Sequence, residues 1–533
     1  MKEQSTTKGF AILSAATLFI KVLSAFYSPF LVKILGGDAP FGIYNATYQI
    51  YVFIYVLTNT GIPSAIAKLV SEYIAVGNYR SAIKTFKMAR FLLTIVGVVM
   101  ATIMLLTAGT ITKIIGFPEA KYSVMALAPA VLFTSIGSAY RGYFQGRSNM
   151  KPTAISQVLE QVLNTVFSLG FAAIFIKSGV IPGIVGATVG TTIGALASAL
   201  FLVLVYKNDR QVKVSTNRVR HTNKQIMHRI VKYSIPITIS IGLTNAGNLF
   251  DTTNTIGRLK VAGFSHILSV GLYGRYAIFI TLIGVPIAII SSLAVNVLPA
   301  ISRSVALKDK MMVRKKISFA LRVCFLIAIP SAVGLSVLSK PIFMLLYSSN
   351  IEGYKILIWG AIVLVFMSVV QIQTSILQGL GKIYTVTFYA VVGIAIKISV
   401  NYFLIAKPKI NIYGAIIGSI LGFLIPMIMN SICLQKHLHV KIRLLRHAFK
   451  PLVASIFMGA VLYVVYYLIS FIIGFVTKGY FNNAIATIVA MFAGMLAYFY
   501  ALFLTQGITK EDLEIVPRGI KKHIPKRIID NLN

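Results

Sequence analysis

Long apolar runs separated by short polar turns follow one another along almost the whole chain. The runs are continuous and do not alternate. Alternation at a period of two would mark the strands of a membrane barrel, whereas continuous runs of ~20 residues mark helices that cross the hydrocarbon. The pattern predicts fourteen spans, at 9–34, 42–76, 88–112, 122–144, 152–177, 183–206, 230–251, 268–300, 317–339, 354–379, 384–406, 411–433, 451–475 and 482–504. Two of them, 42–76 and 268–300, are long and hold internal breakers (Gly61 and Pro63; Gly284 and Pro286), which predicts kinks. The expected fold class is an all-α polytopic membrane protein, and an even number of spans puts both ends of the chain on one side.

Composition agrees with that class. The chain has 533 residues, of which 57% are hydrophobic and 12% charged, and its mean hydropathy is +0.82. A soluble protein of this length would lack the polar surface to cover itself. The two cysteines, Cys324 and Cys433, lie in apolar runs and suggest neither a disulfide framework nor a metal motif. The opening MKEQSTTKGF lacks a signal-peptide layout, so the first span is expected to be retained.

Charge sets the orientation. Most lysines and arginines fall at the termini and in even-numbered connections, among them Arg80, Lys84, Lys87 and Arg90, then Arg141, Arg147 and Lys151, then the segments 207–229 and 434–450. By the positive-inside rule both termini are cytoplasmic. The same distribution accounts for most of the net charge of +38. Short juxtamembrane basic loops suit anionic lipid headgroups as partners, and they argue against a nucleic acid.

An internal repeat divides the chain. Gln145-Gly146, Asn164 and Gly186-Ala187-x-x-Gly190 recur as Gln378-Gly379, Asn401 and Gly414-Ala415-x-x-Gly418. Small residues four apart let helices pack closely. The match lays spans 4–6 over spans 10–12, so a bundle at 1–206 and another at 230–433 are expected, joined by the basic linker 207–229. Equal orientation of the two implies an axis along the membrane normal. Beyond the basic loop 434–450, two further spans lie within 451–504, and a basic tail follows at 505–533.

The chain offers little catalytic machinery. All seven histidines lie in connections or the tail, and no GxxxxGK[ST] motif is present, so no nucleotide site is visible. Of the 13 acidic residues, Glu160 and Asp251 fall at membrane depth. Asp251 sits toward the outer end of the seventh span. Four bases fall inside spans: Lys21, Lys68, Arg275 and Lys397. A cation in the membrane costs at least ~2.5 kcal/mol, so such residues point to function or to a partner. Lys68 is near enough to the cytoplasm to snorkel. Lys21, Arg275 and Lys397 together suggest a water-filled, net-positive cavity that takes an anion. The competing reading is local: lysines that reach headgroups, or ion pairs with Glu160 or Asp251, with Arg275–Asp251 the first choice.

Two motifs carry a resemblance. Arg141 to Gln161 reads RGYFQG-x-x-NM-x-PTA-x-SQVLEQ, and Gly61 to Tyr79 reads GIPSAIAKLVSEYIAVGNY. Both resemble signatures of the SpoVB-like polysaccharide biosynthesis proteins of the MOP exporter superfamily, similar to the MurJ-type lipid II flippases. The likeness runs over essentially the whole chain. It implies two six-helix lobes in a V, MOP/MATE-like, plus two C-terminal helices that resemble the MurJ pair forming a lipid-tail groove. It also implies a transporter rather than an enzyme. The expected cargo is an undecaprenyl-linked glycan pyrophosphate, lipid II or a related oligosaccharide lipid, moved from inner to outer leaflet of the cell membrane by alternating access. Cell-wall synthesis enzymes are implied as candidate partners. Lys21-Val-Leu-Ser resembles the Arg-Val-Leu-Gly run at the MurJ cavity, and Arg275 falls where that family keeps an arginine. The chain departs from that pattern at Tyr27 and in the uncharged run Tyr51 to Leu57, where further arginines are expected. Substrate-binding candidates are therefore Lys21, Arg275 and Lys397, with Glu160 and Asp251 as coupling candidates. No cofactor is expected, and a coupling ion or the membrane potential would supply the energy. The alternative is a cation-coupled MATE-type drug exporter, which would want acidic residues in its cavity.

Overall fold

The computed structural model describes residues 6–208, 222–306, 309–347, 351–438, 444–475, 477 and 479–506. Among them the regular structure is helical. In chain order the helices are α1 (Thr6–Leu35), α2 (Asp38–Asn59), α3 (Gly61–Ala75), α4 (Tyr79–Ile115), α5 (Lys121–Gly146), α6 (Lys151–Phe175), α7 (Val180–Asn208), α8 (Asn223–Val261) and α9 (His266–Ala306). They continue with α10 (Lys310–Val337), α11 (Ser339–Leu346), α12 (Tyr354–Gly360), α13 (Val363–Gly379), α14 (Ile383–Leu404), α15 (Tyr413–Leu438), α16 (Leu444–Gly474) and α17 (Tyr480–Leu504).

Twelve helical stretches among the described residues are long and apolar enough to cross a membrane, and the bent pair α12–α13 makes a thirteenth if taken as one span. The expected seventh span, 230–251, lies inside the 39-residue α8, whose sequence is more polar than the others. The basic segments expected at 207–229, 434–450 and 505–533 fall largely on 209–221, 439–443 and 507–533, outside the described residues.

The second expected span does break, at Thr60 between α2 and α3. Pro63 has no N–H to offer the Asn59 carbonyl, so the ladder stops there. The eighth does not break: α9 runs on through Gly284 and Pro286. Membrane-spanning helices tolerate a missing bond, and α1, α5, α8, α10, α15 and α16 also hold an internal proline. The unexpected bend, 49°, falls between α12 and α13.

The chain divides into two compact units. The first comprises residues 1–278 and 398–415. Its tightest packing is α6 on α7. A Cβ on Gly186 would come 2.6 Å from the Phe171 carbonyl and one on Gly194 2.5 Å from the Glu160 carbonyl. Glycines at every fourth position thus bring the two backbones together, as the GA-x-x-G motif suggested. At one end of this unit Ile66, Leu69, Phe86, Tyr140, Phe144, Leu202 and Ile226 form a buried cluster. A capping box starts α8: Thr222 Oγ1 accepts from Gln225 N, and Gln225 Oε1 accepts from Thr222 N. The second unit comprises 279–397 and 416–533. In it α16 and α17 pack against α10 and α11 through Leu338, Met458, Leu462 and Tyr498. Tyr498 donates to the Leu326 carbonyl at 2.9 Å and Asn483 to the Pro341 carbonyl at 3.1 Å, which fixes the pair in register.

Candidate functional site

Glu160, Arg275 and Asp251 fall in three polar constellations among the described residues of the first unit. The first is built on α2, α5, α6 and α7. Tyr44, Tyr48, Tyr51 and Tyr55 recur at helical spacing on α2, with neighbouring ring centroids 4.8 to 5.9 Å apart. Tyr44 meets Tyr27 of α1 at 2.8 Å, and Tyr48 meets Thr191 of α7. Thr191 and Ser168 both donate to Asn164 Oδ1, at 3.0 and 2.8 Å. Asn164 is the residue that the repeat singled out. Beside Tyr51 and Tyr55 lies an ion pair. Arg141 Nη2 donates to Glu160 Oε2 at 2.5 Å and to Ser198 Oγ at 2.8 Å, while Nε donates to Ser156 Oγ at 3.1 Å.

Arg141 was expected in a cytoplasmic connection. It lies inside α5, and only 7% of it is exposed. The reason is local: Arg141 stands within the last turns of the span, and the small residues Ser156 and Ser198 leave room for its guanidinium. Glu160 is thereby committed to Arg141 and is not the counter-ion of Lys21 or Arg275.

The second constellation joins the start of α2 to the first turns of α9. Gly42 and Gly274 let the helices touch: a Cβ on Gly42 would come 2.6 Å from the Val270 carbonyl, and one on Gly274 would strike the Asp38 carbonyl. That contact places Asp38 against Arg275, whose Nε donates to Asp38 Oδ2 at 2.8 Å. The expected pairing of Arg275 with Asp251 is therefore replaced by pairing with Asp38. Asp38 lies between the expected spans 9–34 and 42–76. It opens a helix, where the macrodipole favours a carboxylate, and it is buried. Close by, Tyr273 meets Thr252 at 3.2 Å and donates to Asn45 Oδ1 at 3.3 Å, which ties α9 to α8 and α2.

Asp251 belongs to the third constellation. It is buried, and its Oδ1 accepts from Asn401 Nδ2 of α14. A turn further along, Asn254 donates to the Ile398 carbonyl at 3.1 Å. Arg258 donates to the Tyr402 carbonyl at 2.9 Å and lies 3.9 Å from the centre of the Tyr402 ring. Asn401 was visible as a repeat marker, but its pairing with Asp251 was not. Lys21, on α1, is exposed. Lys397 lies in the second unit, half-buried, where Gly422 of α15 approaches its Cβ. Of the five predicted residues, Lys21, Glu160, Asp251 and Arg275 thus share one unit and Lys397 lies in the other.

The second unit also holds an apolar cavity of about 550 Å³ bounded by α9, α10, α11, α16 and α17, with Pro286, Pro330, Met458, Leu462, Met495 and Phe499 in its wall. Ser331 and the Tyr498 hydroxyl, which is already bonded to a carbonyl, supply nearly all its polarity. Such a space takes hydrocarbon and not a headgroup.

The profile of the polysaccharide biosynthesis protein family matches residues 6–305, more than half of the chain. The chain belongs to this family. Among its relatives, Stage V sporulation protein B of Bacillus subtilis (strain 168) is 25% identical over 452 residues, covering 84% of this chain and 87% of that protein. Lipid II flippase MurJ of the same organism is 24% identical over 517 residues, covering 92% of this chain and 94% of MurJ. Among solved structures, lipid II flippase MurJ in an inward closed conformation superposes with a TM-score of 0.70 at 16% identity, covering 93% of this chain and 98% of that one. A multidrug resistance MATE family transporter of the MOP superfamily, inward-facing, gives a TM-score of 0.66 at 16% identity and covers 80% of this chain. The family member described here is thus a multi-pass helical membrane protein with the fold of the MOP superfamily.

Proposed function

We propose that the protein is a flippase that moves a lipid-linked glycan pyrophosphate, lipid II or a related cell-wall precursor, from the inner to the outer leaflet of the cell membrane by alternating access. The observation that carries the reading is the apolar cavity bounded by α16 and α17, in a chain related over nearly its whole length to a lipid II flippase. The cavity takes the polyprenyl tail. Lys21 and Arg275, both in the first unit, take the pyrophosphate, arginine as a fork and lysine as a point charge. The pyrophosphate competes with Asp38 for Arg275, so release of that pair accompanies loading. Drug export coupled to cations is less well supported, since Glu160 is engaged by Arg141 and Asp251 by Asn401.

Energy then comes from the membrane potential or an ion gradient. Moving a −2 headgroup outward across 100 mV is worth roughly 4–5 kcal/mol.

A photoreactive residue at Met495 tests the tail site in the full chain. A polyprenyl-linked glycan pyrophosphate should cross-link there, and unlabelled compound should compete while phosphatidylglycerol should not. Absence of the cross-link, or equal competition by phosphatidylglycerol, would contradict the reading.

A further inference from the structure

A second recess lies far from these residues in the chain. It is an open groove of about 490 Å³ between the last turn of α5, the turn after it and the last two turns of α7. Phe144, Phe201, Leu204 and Val205 form its apolar wall, and Asn149 and Asn208 form its polar end. Phe144 is buried, whereas Leu204 is 58% exposed and faces outward from the bundle.

The turn is firmly built. Ser148 takes a left-handed φ of 56°, and Asn149 N donates to the Phe144 carbonyl at 2.9 Å. Three cations adjoin the polar end in the chain: Arg147, Lys151 and Lys207. The two lysines are exposed. Arg147 lies 5.3 Å from the centre of the Tyr143 ring. Arg90 donates to the Tyr140 hydroxyl at 3.1 Å, and both arginines lie within electrostatic reach of Tyr206. None of the lining residues is a carboxylate, and in the chain one carboxylate, Asp209, adjoins them against these three cations.

We propose that this groove is a binding site for one anionic phospholipid. An acyl chain lies along Phe201, Leu204 and Val205, and the phosphate sits at Asn149 and Asn208 within the field of Arg147, Lys151 and Lys207. Charge selects this occupant. The chain's own segment 209–221 carries one aspartate against four lysines and arginines, so its charge does not complement these cations. A zwitterionic lipid offers the apolar fit without the charge. The site is independent of the cargo, so it stands or falls separately from the flippase reading.

Native mass spectrometry of the detergent-purified full chain tests the site with phosphatidylglycerol and phosphatidylcholine as probes. A one-to-one phosphatidylglycerol adduct is expected, with phosphatidylcholine much weaker. Substituting Arg147→Gln, Lys151→Gln and Lys207→Gln together should weaken phosphatidylglycerol roughly a hundredfold, about fivefold for each charge removed. Leu204→Trp, which fills the groove and keeps every charge, should also abolish the adduct. Lys84→Gln with Lys87→Gln, at the same end of the bundle but outside the groove, should leave it unchanged. Equal binding of the two lipids would overturn the proposal. So would an adduct that survives Leu204→Trp, because diffuse attraction needs no groove.

Discussion

Arg141→Ala tests the first unit most sharply. The guanidinium makes three hydrogen bonds, to Glu160, Ser156 and Ser198, and is 7% exposed. The side chain of Glu160 is 23% exposed. Truncating the arginine strands a carboxylate at membrane depth and takes the donor from two serines. Breaking a buried pair from one side costs about 3–5 kcal/mol. Since ~1.4 kcal/mol is tenfold, the folded-to-unfolded ratio should fall by roughly 10² to 10⁴. Removing both charges together is different, because no buried ion is left alone. Arg141→Met with Glu160→Gln fills most of the same volume, and it should recover most of the loss. Equilibrium unfolding in mixed micelles, titrated with SDS, measures both variants. If Arg141→Ala unfolds within about 0.5 kcal/mol of the wild type, the range of an ordinary surface change, the pair is not the anchor described here. The same conclusion follows if the double variant is no more stable than the single one.

Two further outcomes are expected. Single cysteines in the 207–229 segment should resist impermeant thiol reagents applied outside intact cells, and cysteines near Lys177 or Lys478 should react; the reverse labelling would invert the topology. Transport by the purified, reconstituted protein should slow when membrane potential and ion gradients are collapsed, and should not respond to ATP; unchanged rates after collapse, or a requirement for ATP, would remove the proposed energy source.

Much of the architecture was legible because lipid forces a simple pattern. A span must be long and apolar, so run lengths located α4, α6, α7, α14 and α17 to within a few residues, apart from the start of α4. The GA-x-x-G motif announced close helix packing, and Gly186, Gly190 and Gly194 of α7, set against the α6 backbone, bear that out. What was hidden is what depends on partners distant in sequence. Arg141 looks like a loop base because it stands near a span's end, and only the hydroxyls of Ser156 and Ser198 on other helices make it a core residue. A signal was present in the Arg141–Glu160 separation: Arg141 stands about one and a half turns before the 147–150 turn and Glu160 about two and a half turns after it. Asp38 looks like a loop acid because helix α2 starts earlier than its apolar run. Its partner Arg275 is 237 positions away, and no local pattern connects them. Hydropathy also under-weighted α8, whose polar residues Thr252, Asn254 and Arg258 bond to other helices instead of meeting lipid.

The central claim is best tested by flipping itself. Proteoliposomes that hold the purified protein and a fluorescent lipid-linked glycan pyrophosphate report the fraction of headgroup reaching the opposite leaflet over time. Wild-type protein should accelerate that transfer well above empty vesicles, and Lys21→Arg should retain it. Arg275→Ala alone is ambiguous, since it also strands Asp38 and costs at most about 3–5 kcal/mol of stability. Lys21→Ala combined with Asp38→Asn and Arg275→Gln avoids that, since no carboxylate is left unpaired. This variant should stay folded, by its melting temperature, and lose transport. A folded triple variant that moves the lipid at the wild-type rate, or wild-type vesicles no faster than empty ones, would contradict the account.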